Sequence, residues 1–259
     1  LLISKSLPKN IGTVIVKHAN PCGISINKSD LKSYKLALAC DPISAFGGIV
    51  SCNFKIKKKL ASELKKIFLE VVVCNGIENS ALKILKSKKN LRIIDASNLN
   101  NYNLNNIQSL LGTFLLQTPD IFSFSKSNFK VVSKKKPSFQ MLKNLIFTFN
   151  ICKYIKSNAI VITNKGSTIG IGSGQTSRVD SCEIAIKKMN KFYKEKYDDE
   201  LIAASDAFFP FVDGFEKLVQ AGISAVIQPS GSIKDKEIIK FANQAGIILV
   251  FSKTRHFRH

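Results

Sequence analysis

Few residues in this chain can move a proton near neutrality. Of three histidines in 259 residues, the first, His18, stands beside Lys17 where the apolar run 13–16 ends, in TVIVKHANPCGIS. An imidazole titrates at about 6.5 when unperturbed, and a neighbouring ammonium can donate a proton or steady a developing negative charge. The pair suits general acid–base chemistry. The plainer alternative is a strand end dipping into water with two polar residues. Asn20-Pro21-Cys22-Gly23 reads as a turn, because Pro fixes φ and Gly accepts conformations that other residues avoid. Lys17 and His18 would then occupy a strand-to-loop junction, the usual ligand position in α/β proteins.

Three later segments also carry candidate chemistry. GIGSGQTSR (170–178) alternates Gly170, Gly172 and Gly174, but Gln175 replaces the third glycine of a dinucleotide fingerprint. What remains is an anion-friendly loop with Arg178 and a helix start, or a plain tight turn. SDAFFPF (205–211) suits neither helix nor strand, and is either a core plug or an aromatic wall for a flat ligand. By itself the segment favours the plug. The tail RHFRH (255–259) fits no standard zinc spacing, so no metal site is expected; a solvated terminus is the simple reading.

The elements that must position these residues follow from periodicity. Ser29-Asp30 open a short helix with Leu31, Tyr34 and Leu38, ended by Asp41-Pro42. Gly47-Gly48 lead into a strand, and Leu60, Leu64 and Ile67 repeat at helical spacing. Residues 70–74 form a β-branched strand, and a helix carrying Leu82 and Leu85 precedes the strand 91–95. The Asn-rich run 97–106 is a loop. Ser138 caps a long helix bearing Leu142, Leu145, Phe149 and Cys152. Residues 159–163 and 167–171 suggest a hairpin around Asn164-Lys165-Gly166. Asp180 and Glu183 approach a capping box for the next helix. Strand 223–228, the loop Pro229-Ser230-Gly231-Ser232, helix 235–245 and strand 247–251 make a β-loop-α-β unit with parallel pairing. The loop, between a strand end and a helix start, is a place where phosphates often bind. An α/β fold of two layered lobes is expected, divided as 1–145 and 146–259, with no obvious internal repeat.

Composition narrows the function classes. Hydrophobic residues make up 45% of the chain, enough for a sizeable core. The cysteines Cys22, Cys40, Cys52, Cys74, Cys152 and Cys182 form no CxxC pair and read as buried thiols in a reducing, cytoplasmic setting. No apolar run approaches the roughly 20 residues of a membrane span. The net charge of +21 comes from lysines spread over helix faces and loops, without an arginine-rich arm or stacking platform. An anionic small molecule suits that field better than nucleic acid. The chain begins with Leu1 inside what reads as continuing sequence, so a fragment of something longer is expected.

Taken in order, KHANPCG (17–23), DPISAFGGI (41–49), KSNAIV (156–161), GIGSGQTSR, SDAFFPF, QPSGSIKD (228–235) and RHFRH resemble the transformylase domain of the bifunctional purine enzyme that pairs AICAR formyltransferase with IMP cyclohydrolase. The resemblance implies a duplicated cytidine deaminase-like fold. It implies formyl transfer from 10-formyltetrahydrofolate to the 5-amino group of AICAR, with sites built across a homodimer interface. It carries His18 over as proton-transfer residue, Lys17 as its partner, and Asn158 as holder of the carboxamide. Phe208, Phe211 and Phe257 would line the base and Arg255 would face the phosphate. Gln175, Ser177 and Arg178 would complete the pocket, with Glu70 near the folate. A structural monovalent cation is compatible with the family. Zinc chemistry is not expected, because neither H-x-E nor P-C-x-x-C occurs. The cyclohydrolase domain and an early Arg-Tyr-Gly-x-Asn-Pro-His-Gln segment are absent from these residues. Val212 stands where bacterial relatives usually carry Arg. A catalytically silent nucleotide-binding remnant is the alternative those departures suggest.

Overall fold

In a computed structural model, residues 1–99, 105–122, 124, 126–194 and 200–258 are described. The first half runs α1 (Leu2–Ser6), β1 (Gly12–Lys17), β2 (Asn20–Ile26), α2 (Asp30–Cys40), β3 (Gly48–Cys52), α3 (Lys58–Leu64), β4 (Leu69–Cys74), α4 (Asn79–Lys86) and β5 (Arg92–Asp95). A separate hairpin, β6 (Asn106–Leu110) and β7 (Thr113–Gln117), and the short β8 (Phe129–Val131) follow. The second half is α5 (Phe139–Cys152), β9 (Ile160–Asn164), β10 (Ser167–Gly172), α6 (Arg178–Phe192), β11 (Ile202–Ser205), α7 (Val212–Gln220), β12 (Ala225–Pro229), α8 (Asp235–Gln244) and β13 (Ile248–Ser252).

The strands form one 11-stranded sheet in the order β5-β4-β3-β1-β2-β10-β9-β11-β12-β13-β8. That order contains a repeat. In the first half an antiparallel hairpin (β1, β2) is followed by β3 antiparallel to β1, then β4 and β5 parallel to β3. In the second half β9 and β10 form the hairpin, β11 is antiparallel to β9, and β12 and β13 continue in parallel. The helices fall at equivalent places, α2, α3 and α4 matching α6, α7 and α8. The α/β expectation holds, and the duplication, invisible as a sequence repeat, lies in the topology. The halves meet where β2 abuts β10: Ser25 pairs with Ser167, and the Ile24 N–H donates to Thr168 Oγ1 at 2.8 Å.

Over the second half both faces of the sheet are covered, and β9 to β13 are buried at every position; toward the other edge, β3, β4 and β5 keep exposed residues such as Ile49, Glu70 and Ile94. On one face α5 packs over β9, β11 and β12, and Leu145, Phe149, Val161, Ala204 and Val250 share a core with Val14 and Ile24. On the other face, Ile160, Ile162, Phe209, Phe215 and Leu249 pack beneath α6, α7 and α8. Ile15, Val50, Leu60 and Leu85 form the corresponding core of the first half. Each Val, Leu, Ile or Phe side chain among them contributes about 1.5–3 kcal/mol on full burial. Helix α5 runs unbroken through residue 145.

Local structure agrees with many of the sequence expectations and corrects others. Ser29 and Ser138 cap α2 and α5, accepting from the Lys32 N–H at 3.3 Å and the Met141 N–H at 3.0 Å. All six thiols are buried. Helix α6 begins at Arg178 with Ser177 before it, so Asp180 sits inside the first turn and opens no capping box. Ile67 lies beyond the end of α3.

The expected turn at Asn20-Pro21-Cys22-Gly23 is a strand. The chain reverses two residues earlier, through His18 and Ala19, both with positive φ (51° and 61°), closed by the Lys17–Asn20 pair. Positive φ at both central positions is the signature of the tight hairpin turn that matches strand twist. Pro21 is tolerated because it sits at the register shift opposite Val16. Gly23 serves packing instead: a Cβ there would lie 1.9 Å from the Ala37 carbonyl oxygen.

Candidate active site

The parallel strands β11, β12 and β13 end together, and a cleft of about 520 Å³ opens beside those ends. Ligands of open α/β sheets gather at such an edge. Its walls come from four segments: Asn158 before β9, residues 176–179 at the start of α6, residues 207–211 after β11, and Arg255 and Phe257 after β13. Asp213, from the first turn of α7, also lines it.

At the base of the cleft is a closed polar network. Arg178 is only 8% exposed. Its Nη1 donates to Asp206 Oδ1 at 2.5 Å and to Ser205 Oγ at 2.8 Å, and its Nη2 donates to Asn158 Oδ1 at 2.7 Å. The Ser157 hydroxyl donates to the other Asp206 oxygen at 2.5 Å. A buried ion pair repays its desolvation only when further hydrogen bonds satisfy both partners, as they do here. The network explains the SDAFFPF segment: Asp206 is a buried counter-ion that an otherwise apolar run does not lead one to expect.

Asn158 is a strut as well as a wall. Its Nδ2 donates to the carbonyls of Gln175 and Thr176 at 2.9 and 3.1 Å, which fixes the 175–178 loop. Gln175 turns its own amide onto the Ser173 carbonyl and does not line the cleft, whereas Ser177 does. The anion-friendly reading of this loop is thus modified, since the Arg178 charge is already met by Asp206. The loop 229–232 is likewise occupied from within, its Gly231 N–H donating to Asp235 Oδ2 at 2.8 Å.

Aromatic residues divide by role. Phe209 is buried in the core, while Phe208 is half-buried and Phe211 is 61% exposed along the cleft. Core plug and aromatic wall are both present in one segment. The Arg255 guanidinium lies over the Phe208 ring, 4.7 Å from its centroid, with its charge exposed at the cleft. Such stacking is worth about 0.5–1 kcal/mol at an exposed site and holds the cation in place. Thr176, Val179, Ala207, Pro210 and Asp213 also line the cleft and were not anticipated. They are ordinary residue types whose location only folding reveals.

Lys17, His18 and Glu70 lie elsewhere. The Lys17 ammonium donates to the Phe46 carbonyl at 2.7 Å, His18 is exposed at the hairpin turn, and Glu70 is exposed on β4. None lines the cleft. The hairpin meets the segment that leads into Asn158, where the Lys156 N–H donates to Asn20 Oδ1 at 3.3 Å. The tail is described through Arg258; His259 lies outside the described residues. Among the described residues no three His, Cys, Asp or Glu side chains gather as a metal site. No described helix is long and apolar enough to cross a membrane.

Residues 3–188 match the family model described as the AICARFT/IMPCHase bienzyme. The chain belongs to this family. It is 43% identical over 258 residues to the bifunctional purine biosynthesis protein PurH of Leptospira biflexa, covering 99% of this chain and 50% of that protein. The PurH protein of Rhodospirillum rubrum is 44% identical over 252 residues, 95% of this chain and 48% of its own length. The chain thus spans about half the length of the family members it matches. A dCMP deaminase from cyanophage S-TIM5 covers 44% of this chain at 14% identity, with a TM-score of 0.30. For this family member the fold class rests on the strand order described above.

Proposed function

We propose that this chain is an AICAR formyltransferase, acting in IMP biosynthesis with 10-formyltetrahydrofolate as formyl donor. Family membership across nearly the whole chain carries the reading. A full-length protein of the relatives' size would also hold IMP cyclohydrolase, and the setting would be cytoplasmic. The two repeats would be the lobes of one transformylase unit.

The cleft chemistry is compatible with a ribonucleotide. Phe208, Phe211 and Phe257 offer flat apolar surface for the base, and the exposed Arg255 offers a cation for a phosphate. The 5-amino group is a weak nucleophile because its lone pair is delocalised into the ring. In the step we propose, that nitrogen attacks the formyl carbon, the C–N bond forms, and the carbonyl electron pair moves to oxygen. The His18 imidazole takes the amine proton. Collapse of the tetrahedral intermediate breaks the bond to the folate N10, to which Lys17 delivers a proton after steadying the oxyanion. The products are FAICAR and tetrahydrofolate.

Lys17 and His18 stand outside the cleft of their own chain, so the proposed site needs a second copy. One protomer would present the Lys17–His18 hairpin, with Glu70 toward the folate, to the cleft of its partner. A folate-linked assay with AICAR tests the reading. His18→Ala is expected to lower turnover about 10²–10⁴-fold, the usual value of acid–base help. Undiminished turnover would remove the mechanism. Mixing His18→Ala with Arg255→Ala protein is expected to raise activity above that of either variant alone. Nucleotide binding without turnover in the unaltered chain would favour the silent remnant instead.

A further inference from the structure

The last described residues leave β13 as an extended tail whose side chains alternate. Arg255 and Phe257 face the cleft, and His256 between them points into the core at 1% exposure. Its imidazole lies between the rings of Phe124 and Phe149, with centroids 4.9 and 4.8 Å away. The Nδ1–H donates to Asp120 Oδ2 at 2.5 Å, while Nε2 is buried with no hydrogen-bond partner among the described residues. A buried, unmet nitrogen costs about 1–3 kcal/mol, which an aliphatic side chain in the same place would avoid. The imidazole therefore contributes something that packing does not, and among the described residues its one polar contact is Asp120.

Asp120 is itself held. Its other oxygen accepts from the Phe122 N–H at 3.3 Å, and Lys153, at the end of α5, donates to the Phe122 carbonyl at 3.1 Å. On the tail side, the His256 backbone N–H donates at 2.9 Å to the carbonyl of Asp206, whose carboxylate holds Arg178. We propose that Asp120 and His256 are a positioning pair: the carboxylate holds the imidazole in the aromatic box, and this fixes Arg255 and Phe257 on either side against the cleft. The pair does not touch the ligand. It acts through its two neighbours, and the kinetic part of its test rests on the AICAR reading above.

The chain has no tryptophan, so Phe257→Trp supplies a single fluorophore on the tail. Its anisotropy is expected to fall when His256→Leu or Asp120→Ala is added. Asp120 is the safer site for folding, being 36% exposed. With Phe257 native, each of the two variants is expected to raise the AICAR KM about tenfold while kcat stays within about twofold, the loss expected from one charge-assisted hydrogen bond. The double variant should be no worse than either single one, because one contact is lost in all three. His256→Asn, which restores a donor near the Nδ1 position, should recover most of the affinity; a purely space-filling role would not be rescued this way. If Asp120→Ala leaves both anisotropy and KM unchanged, the positioning pair is overturned. If the unaltered chain ignores AICAR yet anisotropy falls in Asp120→Ala, the pair stands and the formyltransferase reading fails.

Discussion

Asp206 and Arg178 have almost no access to water, and each is the other's main electrostatic partner. Replacing Asp206 by Asn keeps the shape and removes the countercharge, leaving a guanidinium buried with neutral acceptors only. Breaking a buried pair in this way typically costs about 3–5 kcal/mol. Urea unfolding of Asp206→Asn should show a loss of that size; a change below 1 kcal/mol would mean that Ser205 and Asn158 suffice for Arg178. At this scale the sequence was readable by type but not by role. Arg178, Asn158, Phe208 and Arg255 were singled out, and all four line the cleft. Two of them, Arg178 and Asn158, nevertheless direct their polar atoms inward, and no spacing rule could say so, because Asp206 is 28 residues away from Arg178 in sequence.

Among the elements, glycine shows how the same residue type serves different geometry. Gly170 and Gly172 on β10 lie against α6: an added Cβ would stand 2.2 Å from the Ala185 carbonyl oxygen and 1.9 Å from that of Ser181. Gly23 has the matching role under α2 in the first repeat. Two of the three alternating glycines, Gly170 and Gly172, are thus contact points that let a helix lie close on its strand. Gly172→Ala forces helix backbone to move, and overpacking of that kind costs about 1–3 kcal/mol or more. Thermal unfolding should show a clear drop in Tm, with no comparable drop for Gly174→Ala, whose site has space although its φ of 69° adds strain. Many helices and buried strands were legible from apolar periodicity, but β2, β11 and α7 were not. The hairpin turn at His18 and Ala19 was not, because alanine rarely takes positive φ and the nearby proline and glycine drew the turn toward themselves.

For the whole molecule, the join between the two repeats is the decisive feature. Besides the β2–β10 contact, Lys188 of α6 reaches across to Asp41 at the end of α2, 2.8 Å away. Burial disfavours the Asp41 charge, but hydrogen bonds from Lys188 and from the Ser44 N–H and hydroxyl outweigh it and hold the carboxyl below its ordinary 3.8. A carboxylate depressed in the folded state contributes its stabilisation above the unfolded pKa and loses it as pH falls through the folded value. Stability should therefore decline below about pH 4. In Asp41→Asn, urea midpoints between pH 3 and pH 7 should give a shallower acid limb; an identical limb would show that the strut contributes nothing to it.

The sequence by itself determined the α/β class, the hairpin of β9 and β10, the helices α5, α6 and α8, the strands β12 and β13, the buried thiols and the family motifs, because each of these depends on residue type and local period. Only the tertiary structure decided that the chain is a topological duplication in one continuous sheet. Only it separated Lys17 and His18 from the cleft of Arg178, Phe208 and Arg255. Distance between residues far apart in the chain is set by which strands pair, and strand pairing depends on the summed burial of both sheet faces rather than on any one motif.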